Sequence, residues 1–586
     1  MAKNHYKPLA TTEASSQQAT AASSSTNLTT KANSVHSEVD DVMIFSPDSL
    51  HTYGLNNDDI DVEPIGTALE TSRTFEEVAQ LRIPEDNPYG RHLGVYSVIT
   101  MIIQRIVGSG IFAVSAIIYN DVGGNPFLFF VVWIIAGYMS FAGLFCFLEL
   151  GSMIPRSGGM KVFLEYTYYR PRMLMSVLYN TTSLLFGFMI SNAIIFGQYF
   201  LYSIGYENVV QNMLSNYVGA IYVIIICCIL AYSTKVAMHL QNFMSFLKVA
   251  LLVIMSLTGI YALFVPRSIT GLPNNLHFDG FFSTKRPFTI STFISALLKA
   301  IFSFSGWNNA HVVANEVKDP VKTIKLGAPI ALLIINIAYF FINLSYLVVI
   351  PDEELSQSGE MVGSLLFEKI FGDVIGRRLL TFSVAISAGG NIITVLYHVS
   401  RVDQEIFREG FLPFSKFFAS NYPFGTPLRA LFFPLAISVF FLVLKTPSDV
   451  YDYIINLESY PQNLFVGLSC FGIFILRRRN EIDVDPSIRT NYIHVIFMTL
   501  FCLFLTIAPL NPFNENEFEG FPQYAYTALF ILLLCVLYWA FKFRLLPKLG
   551  HYDLERKEIT LSDGLVMKEW AKKYDDEPLL NRPTPV

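Results

Sequence analysis

Apolar runs recur along this chain from residue 94 onward, each long enough to cross about 30 Å of hydrocarbon as a helix. Twelve such runs are read, at 94–119, 126–150, 173–201, 217–235, 242–264, 289–314, 326–350, 374–398, 428–446, 450–476, 492–510 and 523–545. Only the stretch Lys-Thr-Pro-Ser-Asp divides the ninth from the tenth. A backbone in lipid must satisfy its own hydrogen bonds, so these runs are expected as helices and the fold as an all-α polytopic membrane protein. Charged residues make up 15% of the 586, against roughly 25% in soluble domains.

The remaining chain divides around this block. Residues 1–88 are rich in Ser, Thr, Asn, Asp and Glu and cannot bury enough apolar area to offset ordering. They are expected as a disordered tail, with at most a short helix from Phe75 to Leu81. Residues 89–545 form the membrane domain and 546–586 a second tail. All six cysteines fall within apolar runs, without metal-ligand spacing, so neither a structural disulfide nor a metal or other cofactor is expected. There is no phosphate loop, nucleophile elbow or basic patch, which argues against an enzyme or a nucleic-acid binder.

Lys and Arg placement sets the expected orientation. With the N-terminus inside, inner loops hold Arg156, Lys161, Arg170, Arg172, Lys318, Lys322, Lys325, Arg401, Arg408 and Arg477–Arg479. The outer loops are poor in basic residues, with Arg267, Lys285, Arg286, Arg377 and Arg378 as exceptions. Both termini are therefore expected in the cytoplasm.

Two of the runs contain helix breakers. Val-Gly-Ser-Gly-Ile-Phe at 107–112 interrupts the first, and Phe-Ser-Phe-Ser-Gly-Trp-Asn-Asn-Ala at 302–310 interrupts the sixth. Interruptions five spans apart point to a five-plus-five inverted repeat with broken first and sixth helices. The outer half of span one then starts near Gly110 and Ile111, where free N–H groups suit a carboxylate. The outer half of span six ends near Ser303 to Ser305, where free carbonyls suit an ammonium. An α-amino acid zwitterion fits between them. The competing reading is that the glycines only permit close helix packing.

Several side chains lie near the breaks. Phe302, Phe304 and Trp307 either wall the substrate side chain or pack the core; an aromatic wall suits an apolar or thioether side chain. Lys248 in the fifth span either serves coupling, by replacing a cation or exchanging a proton, or snorkels to the headgroups. Arg105 precedes the first break and is expected to form an inner gate with Glu149 or Glu316, or to contact headgroups.

Gly-Ser-Gly-Ile-Phe at 108–112, Glu-Leu-Gly-Ser-Met-Ile-Pro-Arg-Ser-Gly-Gly at 149–159, residues 302–320, Ser400–Arg401 and Arg-Glu-Gly-Phe-Leu-Pro at 408–413 together resemble the amino acid–polyamine–organocation superfamily. Within it, the chain resembles the L-type amino acid transporter family. The sequence around Arg105 and residues 545–570 is similar to fungal methionine permeases, more to the low-affinity than the high-affinity type. The resemblance implies alternating access and substrate contacts from Ile106, Gly108, Ser109, Gly110, Phe302, Ser305 and Trp307. It also implies Lys248 as a sodium-replacing lysine, proton symport and a plasma-membrane location. Residues 202–216 contain no cysteine to pair with a disulfide-linked heavy chain. Tail lysines such as Lys3, Lys7, Lys31, Lys568, Lys572 and Lys573 are the places where ubiquitin-ligase adaptors would act. The expected function is proton-coupled methionine uptake. The alternatives are a broader neutral amino acid permease that includes cysteine, and a non-transporting amino acid sensor.

Overall fold

The computed structural model describes residues 91–574 except 92, 157, 188, 211, 266–270, 272–273, 277–279, 313, 445–449, 480–486 and 511–521. The expectations for residues 1–88, the Phe75–Leu81 helix among them, lie outside the described residues. Among the described residues, nine helices are long and apolar enough to cross a bilayer, and a pair bent by 47° supplies a tenth. Two shorter apolar helices fill the sixth and ninth positions of the sequence reading.

In chain order, α1 (Val95–Ile106) and α2 (Gly110–Asp121) form the broken first span. Next come α3 (Pro126–Met153), the short α4 (Met160–Thr167), α5 (Leu174–Phe186), α6 (Ile190–Ser203), α7 (Met213–Tyr232) and α8 (Thr234–Phe264). The broken sixth span is α9 (Ile290–Ser303) with α10 (Asn309–Val312). It is followed by α11 (Pro320–Val349), α12 (Val362–Gly372), α13 (Thr381–Arg408), α14 (Phe432–Val443), α15 (Val450–Arg478), α16 (Tyr492–Ile507) and α17 (Tyr524–Ala540).

Local sequence fixes many of the helix starts. Asn125, Asn212 and Asn491 accept from free amides at the N-termini of α3, α7 and α16, and Thr289 with Thr292 forms a capping box on α9. In the assembled bundle α9 lies along α2, α11 along α1 and α8, and α13 along α6 and α8. The two broken spans are thereby held side by side. Leu93 also exchanges backbone bonds with Glu316 and Lys318, tying the start of α1 to the chain beyond α10.

The structure departs from the sequence reading in two places. The third run, one of the nine membrane-length spans, is interrupted between α5 and α6, where Gly187 lies against Val399 of α13. The C-terminal segment also contains an antiparallel hairpin, β1 (Tyr552–Thr560) and β2 (Val566–Tyr574). Its anchor is Glu409, whose carboxylate binds Lys161 of α4 at 3.0 Å, Lys568 at 3.1 Å and Arg556 at 3.2 Å. The Trp570 indole donates to the Glu409 carbonyl, and a Cβ on Gly410 would collide with the Lys568 carbonyl. Lys568 is thus held in an ion pair. The end of the bundle that carries β1 and β2 is called the hairpin end below, and the opposite end the far end.

Candidate functional site

The first break comprises Val107, Gly108 and Ser109. Val107 turns to an extended conformation, and α2 begins at Gly110. The amides of Gly108, Gly110 and Ile111 donate to nothing among the described residues, while the Ser109 amide donates to Asn192 Oδ1 of α6 at 3.2 Å. The second break runs from Phe304 to Asn308, with Gly306 at φ +113°, a conformation that favours glycine. A side chain at Gly306 would also meet Arg105 Cγ at 2.4 Å. The carbonyls of Phe304 and Ser305 accept no bond among the described residues.

The breaks touch. A Cβ on Gly110 would fall 2.6 Å from Ser303 Oγ and 2.8 Å from Ser303 Cα, and one on Gly108 would fall 2.4 Å from Asn391 Nδ2 of α13. The positive end of α2 and the negative end of α9 therefore meet with no side chain between them. Tyr339 of α11 ties the two together: its phenol donates to the Ser303 carbonyl at 3.1 Å and lies 3.5 Å from that of Ile106. The Ser303 carbonyl, expected from sequence to be free, is thus already engaged.

The aromatic residues divide. Phe304 is buried among Trp133 and Tyr339, with ring centroids 6.1 and 5.1 Å away. Trp307 packs against Gly143 and sits 4.9 Å from the Phe147 ring. Both rings pack against α3. Phe302 and Ser305 are only half-buried. Lys248 does not snorkel: it is buried, and its Nζ donates to the Gln104 carbonyl at 3.3 Å, one turn before the first break.

Glu149 is paired with a partner other than Arg105. Glu149 forms a two-point contact with Arg477 of α15, at 2.7 and 2.6 Å, and accepts from the Thr490 amide at 2.7 Å. Arg105 instead lies within the electrostatic reach of Glu458. Glu316 contributes its carbonyl to Leu93. These pairings differ from the sequence expectation because partners hundreds of residues apart leave no local spacing signal. Sequence reasoning missed Asn192, Asn391, Tyr339, Glu458 and the buried Lys299, which binds Asp121 at 2.7 Å. Lys299 and Glu458 could have been found by the rule that flagged Lys248, since each is an ionisable residue inside an apolar run.

A bundle of spans whose first and sixth helices break at touching points defines a broken-helix membrane transporter. Residues 93–541 match the amino acid permease family, and the chain belongs to it. It is 38% identical over 494 residues to the low-affinity methionine permease of Saccharomyces cerevisiae, covering 83% of this chain and 88% of that one. It is 30% identical over 499 residues to the high-affinity methionine permease of the same yeast, covering 83% and 85%. Against the human b(0,+)-type amino acid transporter 1 it is 25% identical over 522 residues, covering 87% and 99%. These relatives are transporters rather than enzymes.

Proposed function

We propose that this multi-pass permease takes up methionine across the plasma membrane with protons by alternating access. The observation that carries the reading is the contact of Gly110 with Ser303, which sets the unbonded amides of α2 beside the unbonded carbonyls beyond α9. The amides of Gly108, Gly110 and Ile111 hold the carboxylate, and the Phe304 and Ser305 carbonyls hold the ammonium. The half-buried Phe302 faces the thioether. Lys248, bonded to Gln104 at the end of α1, links proton exchange to the first break. The two methionine permeases among the relatives support this substrate.

The test is uptake of labelled methionine into liposomes containing the purified chain, with and without an imposed pH gradient, and competition by each other amino acid. Gradient-driven uptake displaced most strongly by methionine is expected. Equal competition by many neutral amino acids, cysteine included, would establish the broader permease instead. Tight binding without flux would establish the sensor.

A further inference from the structure

Asp403 of α13 is buried, and neither carboxylate oxygen has a hydrogen-bond partner. An ionised carboxylate without donors is expensive to keep away from water, and a neutral acid is far cheaper. The packing of α13 on α5 locates it. Val399 lies 3.1 Å from where a Gly187 Cβ would stand, Ile406 shares an apolar cluster with Val177, and Phe407 shares one with Leu184. Asp403 lies between these contacts on α13, as Asn180 and Thr181 do on α5. Asn180 Oδ1 and Thr181 Oγ1 are themselves buried and unbonded. Asn180 spends its amide nitrogen on Ser176, which leaves only its oxygen for a donor. A proton on Asp403 removes the uncompensated charge and turns the group from an acceptor into a donor.

We propose that Asp403 is a proton-binding site of this permease: it holds its proton in this conformation and releases it to water when α5 and α13 part. The step is the reversible ionisation of one carboxylic acid, with the proton taken from and returned to solvent. The site is separate from Lys248, and its role in uptake rests on the proton-coupled reading.

Of the charged groups near this end of α13, Arg401 lies over the Tyr397 ring at 4.2 Å and others are paired with carboxylates. Lys416 pairs with Glu569, Lys568 with Glu409, and Arg408 with Glu405. Among titratable groups on the other elements packed against α13, α5 brings Tyr179, β2 brings Lys572, Lys573 and Tyr574, and α1 brings Tyr96 and Arg105. Tyr199 and Tyr202 come from α6, His239, Lys248 and Tyr261 from α8, and Tyr217, Tyr222, Cys227, Cys228 and Tyr232 from α7. Towards the far end stand Glu368 and Lys369 of α12 and Asp373, Arg377 and Arg378 beyond it, while α14 brings none. None of these bonds to Asp403.

Infrared difference spectroscopy of the full chain in phosphatidylcholine liposomes at neutral pH tests the site. The unaltered protein is expected to show the C=O band of a protonated carboxylic acid that Asp403→Asn lacks. Carboxylate bands in its place would overturn the proposal. If Asp403→Asn does not fold, 13C labelling of aspartate carboxyls in the unaltered protein reads the same band, and an acid band that fails to shift refutes it. Methionine uptake tests the role: Asp403→Asn should flatten the decline of uptake with rising pH, and a profile superimposed on that of the unaltered protein would remove Asp403 from transport. A chain that shows the acid band but moves no methionine keeps the site and loses the proposed function.

Discussion

Arg477→Met should destabilise the permease more than any other single change at Glu149. The Glu149 side chain is fully buried and Arg477 is 6% exposed, so the pair is shielded from water and salt. Removing the guanidinium leaves a buried carboxylate with the Thr490 amide as its remaining donor. Breaking a buried pair from one side costs about 3–5 kcal/mol, two to nearly four powers of ten in the folded-to-unfolded ratio, at about 1.4 kcal/mol per power. Glu149→Gln should cost less, because Arg477 keeps the Thr490 carbonyl and the Tyr492 ring at 4.4 Å. The double variant, with no charge left to strand, should recover most of the loss. The assay is reversible unfolding of the purified variants in one detergent, read as a double-mutant cycle. A gate between Arg105 and Glu149 predicts the opposite pattern, with Arg105→Met coupled to Glu149→Gln. Additivity for Arg477 with coupling for Arg105 would refute the pairing described here.

Three shorter predictions concern the site and the hairpin. Gly110→Val should abolish uptake while leaving surface expression intact, because its side chain would enter the space held by Ser303; labelled uptake with surface biotinylation checks this. Lys248→Met should remove the pH dependence of uptake, measured across imposed gradients, and an unaltered dependence would exclude Lys248 from coupling. Hairpin docking should depend on pH through Glu409 and Lys161. Burial pushes the Glu409 carboxyl up, but the Lys161 and Arg556 charges outweigh it and hold the group below the usual carboxylate range. Burial pushes Lys161 down, but Glu409 and Glu165 outweigh it and hold it above the usual lysine range. The acid's contribution is present above its ordinary value and lost as pH falls through the depressed one. That of the lysine is present below its ordinary value and lost as pH rises through the raised one. Protection of the β2 amides against hydrogen exchange, relative to the free-chain rate at each pH, should therefore hold from about pH 4.3 to about pH 10.4 and fall only outside that window.

Both breaks were legible because glycine in an apolar run contradicts the helix that the run otherwise demands, and the structure starts α2 at Gly110 and ends α9 at Ser303. The groups that satisfy the breaks were not. Tyr339 and Asn192 reach the broken backbone from other helices, and in sequence each reads as one more residue of an apolar span. The break between α5 and α6 escaped notice because Gly187 stands alone, and its contact with Val399 spans two helices. The hairpin was hidden by its charge: Tyr552–Thr560 alternates exposed and half-buried residues, but the partners of its acids and bases lie on α4 and beyond α13.

The basic residues that contradict the expected orientation bear on which end faces the cytoplasm. At the far end each described one sits on a carboxylate: Lys285 and Arg286 on Asp352, Lys299 on Asp121, Lys369 on Glu354, Arg377 on Glu207 and Arg378 on Asp373. Charges neutralised within the fold contribute little to a bias set by free lysine and arginine. At the hairpin end, Lys318, Lys322 and Lys325 are exposed and have no carboxylate partner among the described residues. That asymmetry supports a cytoplasmic hairpin end. Single cysteines at Lys322 and at the exposed Glu353, in a chain with Cys228 replaced by Ser, test it directly with a membrane-impermeant thiol reagent on intact cells. Glu353→Cys should react at once and Lys322→Cys only after permeabilisation. The reverse order would place the hairpin outside and make α2 and α9 the inner half-helices instead of the outer ones.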